Sequence, residues 1–162
     1  MSDVGPVAPT SLTWAGPIRV ATRMDIKYTA EATSSGDARN GHVRSSDGII
    51  DQDMTMPKEM GGPGGGTNPE QLFAAGYAAC FHQALKLAAG QSKVKIDESS
   101  VDAQVGIGPD DTSFGLKVWL TAHVPGADQE TADQLVARAH ELCPYSKATR
   151  GNLDVTVSAT TS

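Results

Sequence analysis

Cysteine is scarce in this chain: the 162 residues include only two, Cys80 and Cys143, far apart in sequence. That is too sparse for a disulfide-stapled secreted scaffold. Two readings stay open: unrelated core residues, or a redox pair brought together by folding. Positive charge is also in deficit, with 13 Lys and Arg against 19 Asp and Glu, a net charge of −6 and a pI near 5.0. A surface of that sign argues against nucleic acid or an anionic membrane as the main partner. Long apolar runs are missing as well. The longest, Leu72 to Phe81, is about half of the ~20 residues a membrane span needs. The opening MSDVGPVAPTSLTWAGPIRVATR has no basic segment followed by an apolar one, so no secretory signal is recognisable. These absences lead to the expectation of a soluble, cytoplasmic protein. Its 39% hydrophobic and 20% charged composition suits one globular domain with its own core.

Residues 1–23 carry Pro6, Pro9 and Pro17 and no periodicity, and read as an arm preceding a single domain over 24–162. Alternation from Ile26 to Thr33 predicts a first strand. Ser35-Gly36-Asp37 is a turn signal. A short strand around His42 to Arg44 passes through Asp47-Gly48, a hairpin signal, to another around Ile50 to Thr55. After the glycine-rich GGPGGG comes a marked helix start: Asn68 suits the N-cap, Pro69 the first helical position, and Glu70 the positive end of the dipole. The helix is predicted to run to about Ala89, with Gly90 as its C-cap. Its middle, LFAAGYAACF, is apolar or small on every side, as in a helix enclosed by protein. Strands with Val101 to Ile107 and Leu116 to Ala122 alternating follow. An amphipathic helix spans Asp128 to Leu142, and a last strand places Leu153, Val155, Val157 and Ala159 inward. The sum is an α+β fold: a mostly antiparallel sheet, drawn from both ends of the chain, on a central buried helix.

Cys80 by itself reads as packing, because a free cysteine behaves as a small hydrophobe and mid-helix offers no thiolate stabilisation. Reactivity there requires a cation from elsewhere in the chain. Pro144 disfavours helical geometry at Cys143, which therefore sits at or just past a helix end. A buried thiol and a second thiol at a helix terminus suit a two-cysteine redox cycle through a sulfenic acid. A metal site built from Cys80, His82, His140 and Cys143 fails on spacing. Cys80 and His82, two residues apart on a helix, point to nearly opposite sides. Arg39 alone reads as a solvated turn arginine, and Glu70 as a dipole complement.

The stretch Thr67-Asn68-Pro69-Glu70-Gln71-Leu72-Phe73-Ala74-Ala75-Gly76-Tyr77-Ala78-Ala79-Cys80-Phe81 closely resembles the first cysteine motif of organic hydroperoxide resistance (Ohr) proteins, within the OsmC/Ohr superfamily. Cys143-Pro144-Tyr145-Ser146, continuing to Val155, resembles the second, and Ser45-Ser46-Asp47-Gly48 and Pro57 to Gly62 match as well. The likeness spans roughly residues 26–157. It differs at Lys147, where these proteins commonly have asparagine. The resemblance implies an intertwined α+β homodimer with active sites at the subunit interface. It implies a thiol peroxidase that reduces organic hydroperoxides to alcohols, with a dihydrolipoyl group as reductant and no metal, haem or flavin. On the matching positions, Cys80 would be the peroxidatic cysteine and Cys143 the resolving one. Arg39 would contact the thiolate, and Glu70 would hold that arginine.

An apolar pocket raises a thiol pKa, and the permanent charge of Arg39 answers that conflict. Leu72, Phe73, Tyr77 and Phe81 are the expected substrate-binding residues, favouring an alkyl or fatty-acyl peroxide. Ten residues of helix separate Glu70 from Cys80, about 15 Å of rise. The Glu70 and Arg39 serving Cys80 are therefore expected, at least in part, from the partner subunit. The alternatives are an OsmC-type peroxidase with broader substrates, or a non-catalytic module that binds hydrophobic ligands or senses peroxide.

Overall fold

Two short antiparallel ladders open the folded part of the chain. The structure, a computed structural model, describes residues 24–162, so the arm expected over 1–23 lies outside the described residues. Residues 24–30 carry neither helix nor strand, and residues 31–162 form one compact unit. β1 (Ala32–Ser35) pairs with β2 (His42–Ser45), and β2 with β3 (Asp51–Asp53), all antiparallel. The first strand is thus shorter and later than the alternation from Ile26 predicted. β2 ends at Ser45 and the chain turns through Ser46–Gly48, so the ladder offers no partner beyond Glu31, whose carbonyl takes the Ser46 N–H.

His42 clasps the sheet edge, with Nδ1 2.8 Å from Asp53 and Nε2 2.6 Å from Asp51. Both nitrogens must donate to satisfy two carboxylates, so the imidazolium is the fitting form. Asp53 first and Asp51 second raise its pKa above the ordinary histidine value.

The glycine-rich segment is well tied down, with Gly61, Gly62 and Gly64 N–H groups bonded to Lys58, Pro57 and Met56 carbonyls. A Cβ at Gly62 would lie 2.1 Å from the Met56 carbonyl oxygen, so the close approach requires glycine. The segment delivers the chain to α1 (Pro69–Ser92), capped by the Asn68 side chain accepting from Gln71 N–H at 2.9 Å. α1 passes the expected stop at Gly90 and ends at Lys93 in the left-handed region, φ 58°. It buries Tyr77, Phe81, Ala84, Leu85, Ala88 and Ala89, each large apolar member contributing about 1.5–3 kcal/mol. The opposite stripe, Ala75, Ala79, Gln83, Lys86 and Leu87, is exposed. The helix is therefore enclosed on one side only, because the described residues supply cover for one side only.

The second sheet is separate from the first, a correction to the single sheet expected. β4 (Ser100–Pro109) and β5 (Phe114–His123) are antiparallel, and β6 (Asp154–Thr160) joins β5 in parallel. α2 (Gln129–Leu142) and α3 (Pro144–Thr149) form the crossover that a parallel pairing demands. Val118, Leu120 and Ala122 of β5 meet Ala132, Leu135, Val136 and Ala139 of α2 and the buried face of α1 in one core. Among the described residues, no helix is long and apolar enough to cross a membrane.

Gly90 lies in a helix interior with open space around its Cα. Gly90→Ala is expected to stabilise the fold by about 0.5–1 kcal/mol, read from urea midpoints. The His42 clasp predicts a pH dependence of opposite sign to that of a buried carboxylate. Its stabilisation is complete below the unfolded histidine pKa and is lost as pH rises through the raised folded value. NMR titration should place His42 above free histidine, with Asp53→Asn and Asp51→Asn each lowering it.

Candidate functional site

Cys80 lies mid-way along α1, one turn beyond Tyr77 and beside Phe81. Cys143 is the joint between α2 and α3, at φ −61° and ψ 124°, the extended geometry Pro144 imposes. Folding brings the two sulfurs to 3.5 Å, with the Cys143 thiol donating to Cys80. Both are free thiols, Cys143 fully buried and Cys80 partly so. Burial pushes the Cys80 thiol above the ordinary cysteine range, with the neighbouring Cys143 adding to this, while the Tyr145 backbone N–H works against both.

A second cluster forms at the start of the same helix. Arg39, in a 3-10 turn between β1 and β2, forks onto Glu70 with Nη2 to Oε1 at 2.8 Å and Nη1 to Oε2 at 3.0 Å. The Glu70 side chain is 11% exposed and that of Arg39 is 37% exposed. The Arg39 guanidinium holds the Glu70 carboxyl below the usual carboxylate range and is itself raised in return. Asn40 steadies this turn by accepting the Met56 N–H at 3.1 Å. Among the described residues, no hydrogen bond or ion pair joins Arg39 to Cys80. One chain thus holds two pairs, sulfur with sulfur and arginine with glutamate, at separate levels of α1.

The apolar residues expected to bind substrate divide. Tyr77 and Phe81 have no exposed surface and pack inward, Phe81 toward His140 and Tyr77 against Tyr145. They are core residues within this chain, while Leu72 and Phe73 hold partly open positions. The reason is helical phase: Tyr77, Phe81 and Leu85 follow one buried stripe. A concavity of about 360 Å³ lies instead beside Glu70, walled by Pro57, Ala74, Val105 and Ile107. His82 turns to Ser99 Oγ at 3.1 Å, away from the sulfurs. Among the described residues, no group of three or more His, Cys, Asp or Glu could hold a metal ion.

Residues 62–158 match the family described as OsmC-like protein. The organic hydroperoxide resistance protein of Xanthomonas axonopodis pv. citri is 51% identical over 86% of this chain and 99% of its own length. The chain belongs to the OsmC/Ohr superfamily. Within that superfamily it is also similar to the organic hydroperoxide resistance protein OhrB of Bacillus subtilis, at 48% identity over 79% of this chain and 94% of the relative. A crystal structure of an organic hydroperoxide resistance protein from Elizabethkingia anophelis superposes with a TM-score of 0.80 at 45% identity, covering 86% of this chain and all of that one.

Tyr145, Ser146, Thr149 and Asn40 are the site neighbours not singled out from the sequence. Tyr145 reaches Cys80 through its backbone, which carries no side-chain signature. Ser146 stands one turn after Cys143, an offset that could have marked it. Because only about 1.5 Å separates the two thiols from bonding distance, mild oxidation should close one intramolecular Cys80–Cys143 bond. Mass spectrometry of the alkylated protein should find both thiols blocked together. Oxidation that joins two chains instead would refute this.

Proposed function

We propose that this chain is a thiol peroxidase that confers resistance to organic hydroperoxides by reducing them to alcohols. The observation that carries the reading is the approach of the Cys80 and Cys143 sulfurs to 3.5 Å across two separate elements. Relatives of about half-identical sequence named for organic hydroperoxide resistance support it.

In the proposed cycle the Cys80 thiolate attacks the distal oxygen of the peroxide. The O–O bond breaks, the departing alkoxide takes a proton and leaves as the alcohol, and Cys80 becomes a sulfenic acid. The Cys143 sulfur then bonds to Cys80 and water departs with the former sulfenic oxygen. A dihydrolipoyl dithiol reopens the disulfide by exchange, itself becoming the cyclic disulfide.

Arg39 is the cation this scheme needs, and Glu70 the carboxylate that fixes its orientation. We assign them to the neighbouring chain's thiol: Cys80 is served by Arg39 and Glu70 of the partner subunit in a homodimer. The rise of α1 separates the two pairs within one chain, and its Ala75, Ala79 and Leu87 stripe stands uncovered. The concavity beside Glu70 offers apolar walls for the organic group of the substrate.

Steady-state kinetics with dihydrolipoamide test the proposal on a fatty-acid hydroperoxide, a short alkyl hydroperoxide and hydrogen peroxide. The organic substrates are expected to exceed hydrogen peroxide in kcat/KM by at least about tenfold, since two buried methylenes at ~0.8 kcal/mol each suffice. Cys80→Ser should lose turnover. Cys143→Ser should consume a single equivalent and stall with the dithiol, and Arg39→Ala should fall by roughly 10²-fold. Turnover retained in Cys80→Ser, or hydrogen peroxide handled as well as the organic substrates, would sink the reading.

A further inference from the structure

Two rungs, one part-buried and one fully buried, join α1 to the segment of Cys143 and α3. One is the sulfur pair. The other joins Tyr77, one turn before Cys80, to Ser146, one turn after Cys143, with Oη and Oγ 3.0 Å apart and both residues fully buried. The Tyr77 hydroxyl also lies 3.2 Å from Thr149 Oγ1, which donates to the Tyr145 carbonyl at 2.9 Å. These three hydroxyls satisfy one another in a single direction. Ser146 donates to Tyr77, Tyr77 donates to Thr149, and Thr149 donates to the Tyr145 carbonyl. Tyr145 is the residue whose backbone N–H works against the rise in the Cys80 pKa. Its ring is seated by the same packing, against Phe73 and over Gly76, where a Cβ would come within 3.2 Å of the Tyr145 hydroxyl oxygen.

We propose that Tyr77 and Ser146 are positioning residues for the redox pair: their hydrogen bond fixes α3 against α1, setting the approach of Cys143 and the aim of the Tyr145 N–H at Cys80. Neither hydroxyl touches the reacting sulfurs. Both act through α3, a six-residue helix too short to hold its place by its own ladder. The inference rests on the redox reading of the two cysteines, and deepens it by naming what sets their geometry.

The test compares Tyr77→Phe, Ser146→Ala and the double variant with the full-length protein, all confirmed folded by circular dichroism. Three quantities are read: the Cys80 thiolate titration from its ultraviolet absorbance, the rate of chemical disulfide closure with a diazene oxidant, and the stopped-flow rate of closure after one equivalent of alkyl hydroperoxide. Each single variant should slow closure by roughly fivefold, the worth of one buried hydrogen bond, and move the Cys80 titration upward. The double variant should be no worse than Tyr77→Phe, because that single change already removes the Ser146 bond along with the one to Thr149. A wild-type titration and wild-type closure rates in the folded variants would overturn the proposal, as would fully additive effects. The chemical closure and the titration need no peroxide. If the wild type fails to consume peroxide while both still shift in the variants, the peroxidase reading fails and the positioning role stands.

Discussion

A sulfur held among apolar side chains keeps its proton, and Cys80 is in that position: burial raises its pKa, and among the described residues only the Tyr145 backbone opposes the rise. Apolar surroundings are what an organic substrate needs, so the same feature that suits binding works against ionisation. Under the proposed function a second influence is required, and a permanent charge suits it, since it keeps its proton in the same apolar surroundings. Arginine meets that condition, and its fork allows a carboxylate to fix its direction at the same time. The Arg39–Glu70 pair is such a unit, formed and hydrogen-bonded on both arms.

The geometry of α1 then sets what one chain can do alone. An unbroken helix is a ruler, and the ten residues from Glu70 to Cys80 correspond to about 15 Å along it. No side-chain rotation closes that distance, so each chain presents a sulfur half and an arginine half that do not meet within it. The uncovered stripe of Ala75, Ala79 and Leu87 is the other side of the same fact. A helix whose middle is apolar or small all round, covered on one side by its own sheet and α2, leaves a surface for a second copy. Under the proposed function, pairing of subunits completes the chemistry and buries that stripe in one step.

Much of this was legible in the sequence wherever a local rule and the tertiary structure agree. Asn68-Pro69-Glu70 announced the start of α1, and the Asn68 cap is in place. Pro144 marked Cys143 as the end of α2, and the alternation of Val118, Leu120 and Ala122 marked the core face of β5. What failed depended on partners the local pattern does not contain. The alternation from Ile26 is strand-like, yet a strand exists only where a neighbour stands opposite, and β2 ends too early. Gly90 looked like a stop, but the helix gained most of another turn by closing on Lys93. The parallel seat of β6 follows from the crossover through α2 and α3, which no alternation reveals. Tyr77 and Phe81 read as apolar, and hydrophobicity alone does not say which side of the helix they face; in this chain they face the core. The hydroxyls of Ser146 and Thr149 were silent for a related reason: serine and threonine signal only in company.

The joint at Cys143 explains how so tightly packed a pair could still react. Cys80 is fixed by helix on both sides and cannot shift without disturbing α1. Cys143 is the last residue bonded to α2, through its N–H to Ala139, and the first to anchor α3, through its carbonyl to Lys147. Its own dihedrals are extended, which sets it outside the regular helix on either side, and rotation about χ1 leaves both of those hydrogen bonds in place. The roughly 1.5 Å of sulfur travel that a disulfide requires is within the reach of χ1 and a small backbone adjustment at one such residue. In the proposed cycle the moving part is therefore the resolving cysteine, and the segment that must be held true while it moves is α3. The buried hydroxyl chain is located on that segment. It lies one turn away from the sulfurs, close enough to set their distance and far enough to leave them free to bond.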